Sequence, residues 1–199
     1  ERTRTLHLGG IDPRATLGAF HPFRSDPTCR WWPDAFARAV HTTSGPGTIR
    51  FRWRPDGEVT VTAWGATDTV DWLLGAAPRW LGLHDERAGW DPRAHPRVAE
   101  LDRRHAGLRL GASGLVWTEL AQVVLGQRVT SEDAARAWKR LVGAWGSDAP
   151  GPAELGLRLA PAPASLAARG YAELHRFDLE RRRADALLRA AQHADRLEE

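Results

Sequence analysis

Leu115-Val116-Trp117-Thr118-Glu119-Leu120-Ala121-Gln122-Val123-Val124-Leu125-Gly126-Gln127-Arg128-Val129-Thr130 is the stretch on which the reading of this fold turns. It describes an amphipathic helix that ends in a tight Gly-Gln-Arg-Val-Thr corner. A second helix starts at once, because Thr130-Ser131-Glu132-Asp133 supplies a hydroxyl cap with acids in the first turn, and Gly146 follows the last turn. Gln127, at the end of the first helix, can hydrogen-bond base edges or simply close the turn. Arg128 sits at the exposed corner, where a charged side chain can probe a groove but is most often merely solvated. Thr118, Glu119 and Gln122 interrupt the apolar run, which therefore falls short of the roughly 20 residues needed to span a bilayer.

Upstream, Ile49, Phe51 and Trp53 alternate with Arg50, Arg52 and Arg54. Pro55-Asp56-Gly57 supplies a turn, and Val59, Val61 and Ala63 resume the alternation, which predicts a hairpin with one buried face. Thr5–Leu8 and Ala35–Val40 are further strand candidates. Val70, Leu73, Leu74, Ala77 and Leu81 recur at helical spacing and predict a helix over the sheet, ended or kinked by Pro78. The glycines, prolines and charges around 84–96 read as a linker. Beyond it, helices are expected over 97–105, 114–127, 131–145, near 164–169 and over 178–194, with loop from Pro150 to Pro163. The periodic pattern of the last helix runs on toward Leu197 without a cap, as in a fraying helix or a piece of a longer polypeptide. The expected architecture is α+β, with a sheet-and-helix lobe over 1–83, a linker over 84–96 and an all-helical core over 97–199.

Composition narrows the chemistry. The chain has 199 residues, 42% hydrophobic and 27% charged, which excludes wholesale disorder and fits one domain or two small ones. Cys29 is the only cysteine, so neither an internal disulfide nor a multi-cysteine zinc site is available, and a reducing, intracellular setting is the simplest inference. All 28 basic residues but Lys139 are arginine, a bias that nucleotide composition accounts for. Arginine binds phosphate and stacks on bases but cannot serve as an amine nucleophile, so a Schiff base would have to form on Lys139 or the chain terminus. Ser113 lacks the second glycine of a nucleophile elbow and reads as a turn or cap. His84, Asp85, Glu86, Asp91 and His95 fit no metal-ligand spacing and read as linker charge. Trp138 and Trp145, seven apart with Leu141 between them, read as core.

The order of these motifs resembles the helix-hairpin-helix (HhH-GPD) DNA glycosylases, in particular the alkylbase branch represented by bacterial 3-methyladenine DNA glycosylase II. The carriers are Ala106-Gly107-Leu108-Arg109-Leu110, the corner Val124-Leu125-Gly126-Gln127-Arg128-Val129-Thr130, and Arg140-Leu141-Val142-Gly143-Ala144-Trp145-Gly146 at the next helix end. Phe177-Asp178-Leu179-Glu180-Arg181-Arg182-Arg183-Ala184 is similar to a later helix start of the family, without its glycine or lysine. The N-terminal strands suit the TATA-binding-protein-like lobe of that branch. In the family a glycine-rich, phosphate-gripping hairpin and a catalytic aspartate follow. Neither occurs by residue 199, and neither Asp185 nor Asp195 matches the aspartate.

The resemblance implies a monofunctional base-excision-repair enzyme that flips an alkylated, 3-methyladenine-like base out of double-stranded DNA and hydrolyses its N-glycosidic bond. The same fold without its chemical half would be a non-catalytic DNA-binding module. Extrusion costs a few kcal/mol. Arg128 occupies the family's wedge position, where a guanidinium can stack and hydrogen-bond in the gap, with Gln127 and Thr130 flanking it. Trp117 is a candidate wall of the base pocket, against the alternative of core packing; stacking there contributes about 1–3 kcal/mol per base. Arg181, Arg182 and Arg183 are candidate phosphate contacts, against a solvated helix face. No metal or cofactor is expected, no membrane contact and no dimer seam; the expected setting is the bacterial cytoplasm, at the nucleoid.

Overall fold

The computed structural model describes residues 1–199. The hairpin alternation builds the centre of an antiparallel sheet. Strands β1 (Arg2–His7), β2 (Cys29–Trp32), β3 (Ala35–Thr42), β4 (Gly45–Trp53) and β5 (Glu58–Gly65) lie in the order β1-β5-β4-β3-β2. Phe51 stands opposite both Val61 and Phe36, and Ile49 opposite Ala63 and Arg38, so one register sets the whole inner face. A short helix α1 (Pro13–Leu17) precedes β2, capped by the Asp12 carboxylate on Arg14 N and Ala15 N.

Helix α2 (Thr67–Trp80) closes the inner face, burying Val70, Leu73, Ala77 and Trp80 against Ile49, Phe51 and Val61. Pro78 does not end this helix. A proline removes the bond to the carbonyl four residues earlier, here that of Leu74. Arg4 from β1 donates to the Leu74 carbonyl at 3.1 Å, so the orphaned acceptor is satisfied and the last turn survives. The outer face is not left to solvent as the hairpin alternation predicts. Leu155, Leu157 and Leu159 cross back over it and pack on Ala37, Ala39 and Trp64.

Residues 82–95 are tied down. The Asp85 carboxylate accepts from Leu110 N at 2.9 Å, and Arg87 pairs with Asp102 on α3 (Pro96–Arg104). The next segment squeezes past the end of α2, where a Cβ on Gly111 would come within 2.3 Å of the Trp80 carbonyl oxygen. Only glycine passes there.

A second core lies among α4 (Val116–Gly126), α5 (Ser131–Trp145), α6 (Pro163–Ala167), α7 (Tyr171–His175), α8 (Arg181–Gln192) and α9 (Ala194–Leu197). It holds Trp117, Leu125, Trp138, Leu141 and Leu187, and Trp145 joins it half-buried, edge-on to Phe177 at 4.6 Å. This half is not wholly helical, because β7 (Arg158–Leu159), inside the segment expected as loop, pairs with β6 (Ser147–Asp148) just before it. The final pattern breaks at His193, and the Glu198 carboxylate accepts from Val116 N at 3.0 Å and Trp117 N at 2.7 Å, placing a negative charge on the start of α4. No helix is long and apolar enough to cross a membrane.

Candidate nucleic-acid interface

The corner between α4 and α5 is open. Gln127, Arg128 and Thr130 are exposed, while Val129 tucks against the second core. Gln127 leaves the helix with extended backbone, and Arg128 follows at φ 59, in the left-handed region. For a side chain with a Cβ that conformation costs about 1–2 kcal/mol, and only a glycine would adopt it freely. The Arg128 side chain thus projects from the tip of a strained bend. Thr130 is the N-cap of α5: its hydroxyl accepts from Asp133 N at 3.1 Å and donates to the Asp133 carboxylate at 2.8 Å. Its side chain is committed to the helix start.

Beside the corner lies a cleft of about 660 Å³ between the 19–23 segment and the α4–α5 pair. Its walls include Phe20, Pro22, Phe23, Glu119, Gln122 and Gln127. No arginine or lysine lines it, and its one charged lining residue is Glu119. Glu119 Oε1 accepts from Arg38 Nη1 at 2.7 Å and from the Ser113 hydroxyl at 3.0 Å, and Oε2 faces Arg38 Nη2 at 3.4 Å. Arg38 comes from the inner face of the sheet and is fully buried, its guanidinium over the Trp80 ring at 5.8 Å. Burial, the largest single influence, pushes the Arg38 pKa down, but the combined attraction of Glu119, Cys29 and Asp26 and the hydrogen bond to Glu119 together hold it above its usual value.

Deeper in the same seam, the Asp26 carboxylate accepts from Thr28 N and the Thr28 hydroxyl, both at 2.8 Å, from Gln122 Nε2 at 2.9 Å and from Trp138 Nε1 at 2.7 Å. Gln122 also accepts from Arg38 at 3.4 Å. One network therefore ties β3, the 26–28 turn, α4 and α5 together. His21, at the edge of the seam, has its pKa lowered by burial, against a weaker opposing pull from Asp26. Burial also drives the Cys29 thiol pKa well upward, so the lone cysteine is held as an unreactive thiol.

Two site expectations need correction. Trp117 is 5% exposed and sits in the second core at the far end of α4, ten residues and about 15 Å along the axis from the corner; it lines two other cavities, beside His41 and Ala121 and beside Asp195 and Glu198, and not this cleft. Arg183 is buried and donates to the carbonyls of Leu125 and Asp178, each at 3.1 Å; it clamps the end of α4 to the start of α8 and is not free for phosphate. Arg181 and Arg182 are exposed, with Arg181 over the Tyr171 ring at 4.9 Å. Ser113 is a turn serine whose hydroxyl accepts from Leu115 N at 3.2 Å. No group of three His, Cys, Asp or Glu side chains is placed to hold a metal ion.

Sequence reasoning missed Arg38, Glu119, Asp26 and Phe20. The signal for Arg38 was present: the strand alternation that turns Phe36 and Val40 inward turns Arg38 inward as well.

The sequence matches no protein-family model and no curated protein. Similarity appears among solved structures. A 3-methyladenine DNA glycosylase from Archaeoglobus fulgidus superposes with a TM-score of 0.79 at 16% identity, covering 98% of this chain and 68% of that one. MBOgg1, in complex with a low-affinity DNA ligand, superposes with a TM-score of 0.61 at 15% identity, covering 100% of this chain and 68% of that one. The fold is one that DNA glycosylases share.

Proposed function

We propose that this chain is a DNA-repair glycosylase domain that binds damaged double-stranded DNA and extrudes an alkylated, 3-methyladenine-like base with the α4–α5 corner. The observation that carries this reading is Arg128: an exposed arginine in a left-handed bend, at a corner whose neighbour Gln127 borders an open, aromatic-walled cleft. A strained tip positioned by two packed helices suits a wedge, because the bend is over-determined by the scaffold around it. Gln127 lies between the wedge and the cleft, and Arg182 with Arg181 offers phosphate contacts on the first turn of α8. Arg128→Ala should weaken binding to a duplex holding an abasic analogue far more than binding to intact duplex. Equal losses on both would reduce Arg128 to an ordinary phosphate contact.

Glycosidic cleavage passes through a cationic sugar that a carboxylate must stabilise, and an alkylated purine, already positive, departs with modest help. We assign no catalytic carboxylate among residues 1–199. The second reading is a non-catalytic DNA-binding module of the same fold. Release of free base from alkylated duplex by the purified chain separates the two: release supports the enzyme, and binding without release supports the module. The enzyme would be monofunctional, since the only lysine, Lys139, stands exposed on α5 and matches no nucleophile position. Nicking at abasic sites by the chain alone would contradict this.

A further inference from the structure

We propose that Glu119 reads the extruded base, accepting a hydrogen bond from an exocyclic amino group, so that the cleft takes amino-bearing purines and rejects bases presenting a carbonyl at that position. This assignment rests on the base-extrusion reading above. Three observations carry it. Glu119 is the one charged residue on the cleft wall, and its side chain keeps 33% of its exposure while its partner Arg38 keeps none. A base in the cleft therefore meets the carboxylate, with the guanidinium behind it.

The two carboxylate oxygens are also unequal. Oε1 is engaged by short contacts from Arg38 and Ser113, whereas Oε2 has only the 3.4 Å approach of Arg38 Nη2. An ionised carboxylate offers about four lone-pair sites, so acceptor capacity remains on Oε2. Phe20 and Phe23, both largely buried, contribute apolar edges to the same cleft.

The third observation is the cost of the arrangement. An arginine with no exposure, projecting from the apolar face of a sheet, leaves its Nε without a partner. A buried ion pair is often no more stabilising than a packed apolar pair of similar volume, so cohesion between sheet and helices gives little reason to keep it. Fixing a carboxylate at one place on a cleft wall does. Arg38 and Ser113 are positioning residues in this account, and they leave Glu119 acceptor-only. Opposite a carbonyl it would have no hydrogen to share, whereas opposite an amino group it forms a charge-assisted bond.

The test uses fluorescence anisotropy on four labelled duplexes: intact, containing two tetrahydrofuran abasic analogues opposite one another, and containing adenine or hypoxanthine opposite one such analogue. Adenine carries an amino group where hypoxanthine carries a carbonyl. The chain should prefer the adenine duplex to the hypoxanthine duplex by about tenfold, the scale of one buried polar group left unsatisfied. Glu119→Gln should bring that ratio close to one, because an amide can present either its donor or its acceptor. The double variant Arg38→Met/Glu119→Met, which removes the ion pair as a unit, should do the same, with thermal unfolding confirming that both variants fold. Preference for the abasic over the intact duplex involves no base in the cleft and should persist in both. Equal binding of adenine and hypoxanthine duplexes by the unaltered chain, or an unchanged ratio in the folded variants, overturns the assignment while the extrusion reading stands. Loss of abasic preference in the unaltered chain overturns both.

Discussion

Two carboxylates stand in the seam between the sheet and the helices, and they are treated in opposite ways. Asp26 is 4% exposed and accepts four hydrogen bonds from three different segments. Glu119, three residues before the Gln122 that serves Asp26, is a third exposed and keeps one oxygen almost unengaged. Asp26 has nothing left to offer a ligand, and every donor it holds would be orphaned without it. Glu119 is positioned as firmly but not satisfied. A saturated buried acceptor makes a joint; a fixed acceptor with spare capacity at an open wall makes a recognition element.

That contrast breaks first at Asp26. Asp26→Ala should cost about 3 kcal/mol or more of stability, since it strands the Trp138 and Gln122 donors along with those of Thr28. Urea unfolding measures this, and a loss below about 1 kcal/mol would mean the joint is not where the halves are held. Glu119→Ala should cost less, about 2 kcal/mol, discounted for its exposure, because it leaves Arg38 charged and unpaired in the core. Adding Arg38→Met should recover most of that loss, and a double-mutant cycle reads the coupling directly.

The arginine run on α8 sharpens the same distinction at smaller scale. Arg183→Ala should lose about 1–2 kcal/mol of stability through its two carbonyl contacts and leave the salt dependence of DNA binding unchanged. Arg182→Ala should leave stability intact and lower the salt slope by about one. At the corner, Arg128→Gly should raise stability by about 1 kcal/mol by relaxing the left-handed backbone, while abolishing preference for abasic DNA. Calorimetry and anisotropy on the same sample check the two halves of that expectation.

Much of this was legible in the sequence for local reasons. The hairpin showed in its alternation and turn residues, and α5 in the Thr130 cap and Gly146 stop, because these signals lie within a few residues of what they govern. Pro78 misled because the rescue of the Leu74 carbonyl comes from Arg4, on a strand far away in the chain. Trp117 and Arg183 misled for a similar reason. Residue type shows that an indole or guanidinium can stack or bind phosphate, but only the packing of α4 against α8 shows which way it faces. The cleft was illegible as a whole, since its walls come from the 19–23 segment and from α4, and nothing local joins Phe20 to Glu119.

Under the proposed function, the α4–α5 corner opens a duplex. Fluorescence of 2-aminopurine placed opposite an abasic analogue tests it most directly, because the base is quenched when stacked and bright when extruded. Fluorescence should rise on adding the chain, and should not rise on adding Arg128→Ala at concentrations where that variant is bound. Saturated binding by the unaltered chain with the base still quenched would contradict it.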